Sequence, residues 1–452
     1  SISLRHEGLS RLKGPAQFWI SGSVTSPAYQ ELSTLWSAPL WPSDRLVGVR
    51  LNSPLARAGQ KVEGEIVALD RRQRAAAGAR VKVDLIHCQW NSVLKAGVGG
   101  SYAWQSERIE QMESTQTVVT QAKATPLELN PRRSGFYLVR LSYTSAKGEE
   151  SQAQTSLWVG GDDYVAWERE DTDEISLVAD ASTYRAGQKA KVLVQSPYEE
   201  AQALITLESD SILHTWVQEL RGSAPIIEVP LSAKYAPNAY LSVILLQGRQ
   251  GRLELSAAGL DVGRPSFKFG YLNLKIENPQ ARLQLKVQSD KETYKPGERA
   301  VLNLTLRDAQ GKPQSGEVCL WMVDEGVLQL VNYQLPSYYD TFYAPRSLQV
   351  RTAESCADVI GMRSYGSKGA NPGGGGGAEM GELQDVRRNF KALALWQPSL
   401  KIGPSGQTQV VCELPDTLTR YRIMALACSQ NYQFGEAQEE LQVSEEVSII
   451  PA

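Results

Sequence analysis

Short runs in which apolar and polar residues alternate recur along the whole chain. Between residues 282 and 288, Leu283, Leu285 and Val287 alternate with Arg, Gln and Lys, and Ala300, Leu302, Leu304 and Leu306 make a second stripe. Val62, Ile66 and Ala68 share one face of another run, and Ala239, Leu241, Val243 and Leu245 make one more. A period of two over this length predicts strands with one face buried. Pro-Gly, Asn-Pro and Ala-Gly turn signals separate the runs. Convincing amphipathic helices of ten or more residues are rare. The pattern predicts an all-β chain of tandem antiparallel β-sandwich domains.

A repeat supports the tandem reading. Ala58-Gly59-Gln60-Lys61, Tyr184-Arg185-Ala186-Gly187-Gln188-Lys189 and Tyr294-Lys295-Pro296-Gly297-Glu298-Arg299 each precede a strand. The glycines are 187 − 59 = 128 and 297 − 187 = 110 residues apart, which is domain-sized spacing. Each glycine is read as the positive-φ residue of a tight turn. Pro404-Ser405-Gly406-Gln407 reads as a weaker fourth copy. The expected boundaries follow. Residues 1–42 are the end of a preceding domain plus a linker, with a strand at 18–24 and the linker at 36–42. Residues 43–161, 162–279, 280–391 and 392–452 are four sandwiches.

Composition narrows the function classes. At about 100–150 residues per domain, 452 residues call for three to five domains. The formal net charge of −3 offers no basic footprint for nucleic acid and no polybasic membrane patch. No apolar run approaches the roughly 18 residues of a membrane span. The start at Ser1, without Met or an apolar leader, reads as a piece cut from something longer. Cys88, Cys319, Cys356, Cys412 and Cys428 lie far apart with no CxxC pair, and are expected to be mostly small buried apolar residues. His6, His87 and His214 are the only histidines, poor material for acid–base or metal chemistry.

Candidate chemistry is correspondingly thin. No GxSxG, HExxH, Walker loop or dinucleotide fingerprint is present, so no catalytic residue, metal site or cofactor is expected. Gly97 to Gly100 reads as a turn. His87 and Cys88 are adjacent in a strand, so alternation points them to opposite faces. Asp324-Glu325 follows a strand and reads as the cap of a short helix. Asn303-Leu304-Thr305 fits a glycosylation sequon but falls in mid-strand.

One stretch breaks the alternation. From about Thr352 to Lys391 the chain holds five consecutive glycines, Gly373 to Gly377, together with Gly361, Gly366, Gly369 and Asn371-Pro372. Loops of this length inside a domain are generally functional or disordered. A protease needs an extended substrate across its cleft, which flexible chain supplies and a sandwich strand does not. Arg363, Lys368, Arg387 and Arg388 suit trypsin-like pockets; Tyr365, Met380, Leu383 and Phe390 suit large apolar ones; Ala370 and Ala378 suit small ones. Taken alone, these features also describe an inert linker.

The flanking residues change the weighting. Trp321-Met322-Val323-Asp324-Glu325-Gly326-Val327-Leu328 resembles the VDE-x-x-L strand-to-helix signature that precedes the bait region of α2-macroglobulins. Phe342-Tyr343-Ala344-Pro345-Arg346 and Val350-Arg351-Thr352 resemble the lead-in to that bait. Trp396-Gln397-Pro398 and Leu414-Pro415-Asp416-Thr417-Leu418-Thr419-Arg420-Tyr421-Arg422 resemble the W-x-P … LPD-x-LT-x-W-R domain that follows it. Tyr421 stands where the family usually has Trp, and Gly403-Pro404-Ser405-Gly406 replaces an acidic turn. The C-x-E-Q thioester motif, which in the family lies beyond the position of Pro451, is not in this sequence. The long glycine-rich stretch and few cysteines resemble bacterial relatives.

The resemblance implies macroglobulin-type sandwiches, immunoglobulin-like in form, with the bait at about 352–391. It implies broad-spectrum protease inhibition by entrapment: a protease cuts the bait, a constraint between domains is released, and the protein closes around the protease. The implied partners are endopeptidases of several specificities and the remaining domains of the same protein. The implied location is the periplasm of a Gram-negative bacterium, with inner-membrane association through a missing N-terminus. The competing reading is a multi-domain structural or adhesive surface protein, since tandem sandwiches serve both. A stalk does not need a multiply cleavable segment inside one domain.

Overall fold

The computed structural model describes residues 12–27, 31–96, 102–161, 163–168, 172–252, 265–352 and 392–444. The first described strands form an antiparallel pair, β1 (Ala16–Thr25) and β2 (Glu31–Leu40), in register from Ala16↔Leu40 to Thr25↔Glu31. Trp36 to Leu40, expected in a linker, therefore lies in a strand.

Twenty-four further strands follow among the described residues. The first eight are β3 (Arg45–Leu51), β4 (Leu55–Arg57), β5 (Val62–Asp70), β6 (Arg80–Ala96), β7 (Tyr102–Val119), β8 (Thr125–Leu129), β9 (Gly135–Thr144) and β10 (Glu150–Gly160). The next eight are β11 (Leu177–Ala179), β12 (Tyr184–Arg185), β13 (Lys189–Val194), β14 (Glu200–Glu208), β15 (Ile212–Arg221), β16 (Ile226–Pro230), β17 (Asn238–Gln247) and β18 (Ser266–Glu277). The last eight are β19 (Gln284–Ser289), β20 (Thr293–Tyr294), β21 (Arg299–Arg307), β22 (Gly316–Asp324), β23 (Leu393–Ile402), β24 (Gln407–Glu413), β25 (Arg420–Cys428) and β26 (Phe434–Val443). Among the described residues between β22 and β23 lie two short helices, α1 (Glu325–Leu330) and α2 (Tyr338–Phe342).

The three sets of eight share one topology. In each, the first, third and sixth strands form a three-stranded sheet: β3-β5-β8, β11-β13-β16 and β19-β21-β24. The second, eighth, seventh, fourth and fifth form a five-stranded sheet: β4-β10-β9-β6-β7, β12-β18-β17-β14-β15 and β20-β26-β25-β22-β23. Alternation supplies the cores. Ala300, Leu302, Leu304 and Leu306 face Val318, Leu320 and Met322 in the third sandwich, every one at most 1% exposed. Burial of this kind is worth roughly 1.5–3 kcal/mol per large aliphatic side chain, before the entropy of ordering the chain is subtracted.

The repeated turn is the link between the second and third strands of each copy. Gly59, Gly187 and Gly297 have φ of 77°, 93° and 70°, where a side chain would be strained. In the second and third copies the turn is braced by a Tyr–Asp pair. Tyr184 donates to Asp180 and Tyr294 to Asp290, each at 2.7 Å, and the same carboxylate oxygens accept from Lys191 N and Val301 N.

Residues 280–391 and 392–452 were expected as two sandwiches, and they are one. β21 pairs with β24 from Arg299↔Glu413 to Thr305↔Gln407, and β22 pairs with β25 from Glu317↔Cys428 to Asp324↔Tyr421. Gly406, with φ of 67°, links the fifth strand to the sixth. It is therefore not a fourth copy of the repeated turn: the local signal is that of any tight turn, and only the pairing distinguishes them.

The chain divides into two compact units. One holds residues 1–231, 239–274 and 348–352, and the other holds 232–238, 275–347 and 353–452. Within the first unit, the first two sandwiches share an apolar seam. Ile86, Cys88, Phe136 and Leu138 pack with Val165, Trp167, Leu193 and Ala224, and Trp167 Nε1 donates to Ser223 O at 2.6 Å.

Candidate functional site

The connection between the fourth and fifth strands differs between copies. It is residues 97–101 in the first sandwich, 209–211 in the second and 325–392 in the third. The long connection still begins and ends as a hairpin does. Val323 pairs with Leu393, and Asp324 N donates to Ala392 O at 2.8 Å. Both ends therefore rise from adjacent strands of one sheet. β22 is held on its other side by β25, while β23 lies at the sheet edge.

The first part of the connection folds back onto that sheet. Asp324 caps α1, its Oδ1 accepting from Gly326 N at 2.8 Å and from Val327 N at 3.3 Å, as its place after a strand predicted. Glu325 has a separate role that adjacency concealed. It is 9% exposed and is gripped by Arg422, whose Nε donates to Oε2 at 2.8 Å and whose Nη2 donates to Oε1. Arg422 Nη1 also donates to Tyr333 O at 3.3 Å. Leu328 of α1 packs on Trp321, Met424 and Leu426, covering the outer face of the five-stranded sheet.

α2 is anchored through aromatic rings. Its Ser337 cap accepts from Asp340 N at 3.3 Å. Arg282 stacks over Tyr339 at 3.7 Å and donates to Asp340 at 3.0 Å; Tyr339 stacks on Tyr343 at 4.8 Å, and Phe342 on Phe434 at 4.6 Å. From Tyr343 to Thr352 there is no regular structure, yet the backbone stays tied. The Asn238 amide bonds both backbone groups of Arg346, Oδ1 accepting from its N–H at 2.7 Å and Nδ2 donating to its C=O at 3.0 Å. In the other unit, Gln349 N donates to Ser209 O at 2.9 Å and Tyr271 OH lies 2.5 Å from Thr352 Oγ1. Description of the lead-in ends at Thr352. The predicted cleavage residues Arg363, Tyr365, Lys368, Met380, Leu383, Arg387, Arg388 and Phe390 lie outside the described residues, as do Cys356, Ala370 and Ala378.

The other sequence candidates resolve into packing. Cys88 is wholly buried in the seam, while His87, its neighbour, turns to Tyr137 and donates from Nε2 to Ser134 O at 3.1 Å. Burial holds the imidazole below its ordinary pKa. Of the cysteines described, Cys88 and Cys412 are buried, Cys319 half-buried and Cys428 exposed, and all four are free thiols. Asn303 lies in β21 with Gln409 Nε2 on its side-chain oxygen at 2.8 Å. Among the described residues no three His, Cys, Asp or Glu side chains gather as a metal would require. A groove of about 970 Å³ between α1 and the β25–β26 pair is lined by amides, Glu side chains, Arg420 and Arg422 together with Leu328, Tyr333, Leu335 and Leu441, with neither His nor Cys. Sequence reasoning missed Glu325–Arg422 and Asn238. Their signals, a Glu after a cap and an Asn after Pro237, have commoner local meanings.

Comparison with known proteins gives these features a context. Residues 175–330 match the family model described as the α2-macroglobulin bait region domain, a match that ends with α1. Residues 393–452 match the α2-macroglobulin family model. The chain is 30% identical over 423 residues to an α2-macroglobulin homolog of Nostoc sp., covering 93% of this chain and 22% of that protein. It is 29% identical over 355 residues to the α2-macroglobulin of Ralstonia nicotianae, covering 74% of this chain and 21% of that protein. The chain thus spans about a fifth of the length of these curated relatives. It is also similar to the crystal structure of trypsin-activated α2-macroglobulin from Escherichia coli, at 18% identity and a TM-score of 0.38, over 95% of this chain and 28% of that one.

Proposed function

This chain belongs to the α2-macroglobulin family, and on that premise we propose that residues 353–391 are a protease bait whose cleavage triggers entrapment by the whole protein. The chain takes part as substrate and tether, with no catalysis of its own. Its partners are endopeptidases of several specificities and the remaining domains of the same protein, and its place is the periplasm of a Gram-negative bacterium.

The observation that carries the reading is the placement of the long connection. Its ends are hydrogen-bonded to each other across adjacent strands. A cut within residues 353–391 breaks none of the strand pairings or core contacts described for the third sandwich. What it removes is the covalent link between Thr352 and Ala392. This is what a proteolytic trigger requires: one bond is lost, the domain persists, and the severed ends are free to part.

Limited proteolysis tests it. The earliest tryptic cuts should follow Arg363, Lys368, Arg387 or Arg388, and proteases preferring large apolar residues should cut at Tyr365, Met380, Leu383 or Phe390. The two fragments should co-elute under native conditions and separate in denaturant. Early cuts spread evenly through the sandwiches, read by mass spectrometry, would sink the proposal.

A further inference from the structure

Arg346 is exposed, lies in a stretch without regular structure and is followed by Ser347. By those criteria it belongs among the first tryptic sites, because irregular exposed chain reaches a protease cleft with little local unfolding. Its backbone, however, is occupied. The Asn238 side chain accepts from the Arg346 N–H at 2.7 Å and donates to the Arg346 carbonyl at 3.0 Å. Only this orientation of the amide satisfies both groups, since the flipped form would set NH2 against N–H and oxygen against oxygen.

Those two groups are the ones a serine protease must use. The carbonyl of the residue before the scissile bond has to enter the oxyanion hole, and a donor already bonded to it competes directly. We propose that Asn238 is a specificity-determining residue that excludes the Arg346–Ser347 bond from cleavage and so sets the N-terminal limit of the bait. This rests on the bait reading and adds a boundary to it.

Asn238 is built for that role. It is 2% exposed and opens β17 directly after Pro237, whose carbonyl accepts from Ile276 N at 2.7 Å. Its amide is thereby fixed at both the backbone and the side chain. On the segment leading to Arg346, the stacked pair Tyr339–Tyr343 and the Tyr343 OH bond to Tyr432 O at 3.3 Å prevent the chain from lifting away at its start. The clamp contacts only backbone, so it does not depend on the arginine side chain.

The test uses the full chain and compares wild type with Asn238→Ala and Asn238→Asp under limiting trypsin, following each cut by mass spectrometry. Wild type should show no early cut after Arg346. Asn238→Ala should open that bond, raising its initial cleavage rate about tenfold or more, because two hydrogen bonds of ordinary strength are lost. Asn238→Asp keeps the acceptor for the N–H but loses the donor to the scissile carbonyl, and should give an intermediate rate. Rates after Arg50 and Arg185, in the first two sandwiches, serve as controls and should not change. A rise at those positions equal to that at Arg346 means general loosening and overturns the proposal, as does an unchanged Arg346 rate in both variants. Cuts within 353–391 report separately on the bait reading. Their absence in wild type would remove that reading, while a new cut after Arg346 in the variants would still establish the clamp.

Discussion

Replacing Arg422 by Ala leaves the Glu325 carboxylate buried without its cation. In the native chain that carboxylate receives two donors from Arg422 and a third, weaker one from Gln329 Nε2 at 3.3 Å. Breaking a buried pair by removing one partner typically costs about 3–5 kcal/mol, because the remaining charge is desolvated and uncompensated. The two side chains keep 12% and 20% exposure, so the lower end, about 3 kcal/mol, is expected. For a sandwich of this size each kcal/mol moves the midpoint by roughly 2–4 °C, so the third sandwich should melt about 10 °C lower. Calorimetry of the full chain reads this as displacement of one transition while the others stay in place. Two further variants separate charge from packing. Arg422→Lys keeps the charge but not the paired geometry and should fall between. Glu325→Leu with Arg422→Met removes both charges and should return to within about 1 kcal/mol of wild type. If Arg422→Ala costs less than about 1 kcal/mol, the pair behaves as a solvated surface bridge, and α1 is not fastened to the sheet in the way described.

Two other outcomes follow from named contacts. Burial pushes the Tyr294 phenol up to about 12, and its bond to Asp290 adds to this; a raised folded-state value means stability is complete below the ordinary pKa of about 10 and is lost as pH rises toward 12. Urea midpoints measured from pH 8 to 12 should therefore fall less for Tyr294→Phe than for wild type, and parallel curves would refute the contribution. A Cβ on Gly160 would lie 2.5 Å from Ile226 Cδ1 and 3.1 Å from Ala224 O, so Gly160→Ala should destabilise the seam of the first two sandwiches by about 1–3 kcal/mol, seen as a lowered calorimetric transition.

The sandwich architecture was legible because it rests on local periodicity. The stripe from Ala300 to Leu306 and the turns at Gly59, Gly187 and Gly297 are written within a few residues of chain. Pairing partners are not. Nothing near Asp324 in the sequence shows that β22 lies between β25 and a β23 that begins at Leu393, and so the strands after the long connection look in sequence like a new domain. The same blindness hid Arg422, 97 residues from Glu325, and Arg346, 108 residues from Asn238. A polar side chain whose partner is distant looks in sequence like a cap or a turn residue, and local rules assign it one of those roles.

The position of the long connection also bears on how its sequence can change. Three copies of one fold carry 5, 3 and 68 residues between their fourth and fifth strands (97–101, 209–211 and 325–392) without alteration of strand order. Closing a flexible loop costs only about 0.6 kcal/mol more for each doubling of its length. Because the ends are already neighbours at Asp324 and Ala392, lengthening this segment beyond the residues that fasten α1 and α2 costs the sandwich beneath little loop-closure entropy. A stretch placed here can therefore acquire or discard cleavage sites one residue at a time, while the domain that displays it folds from the same eight strands.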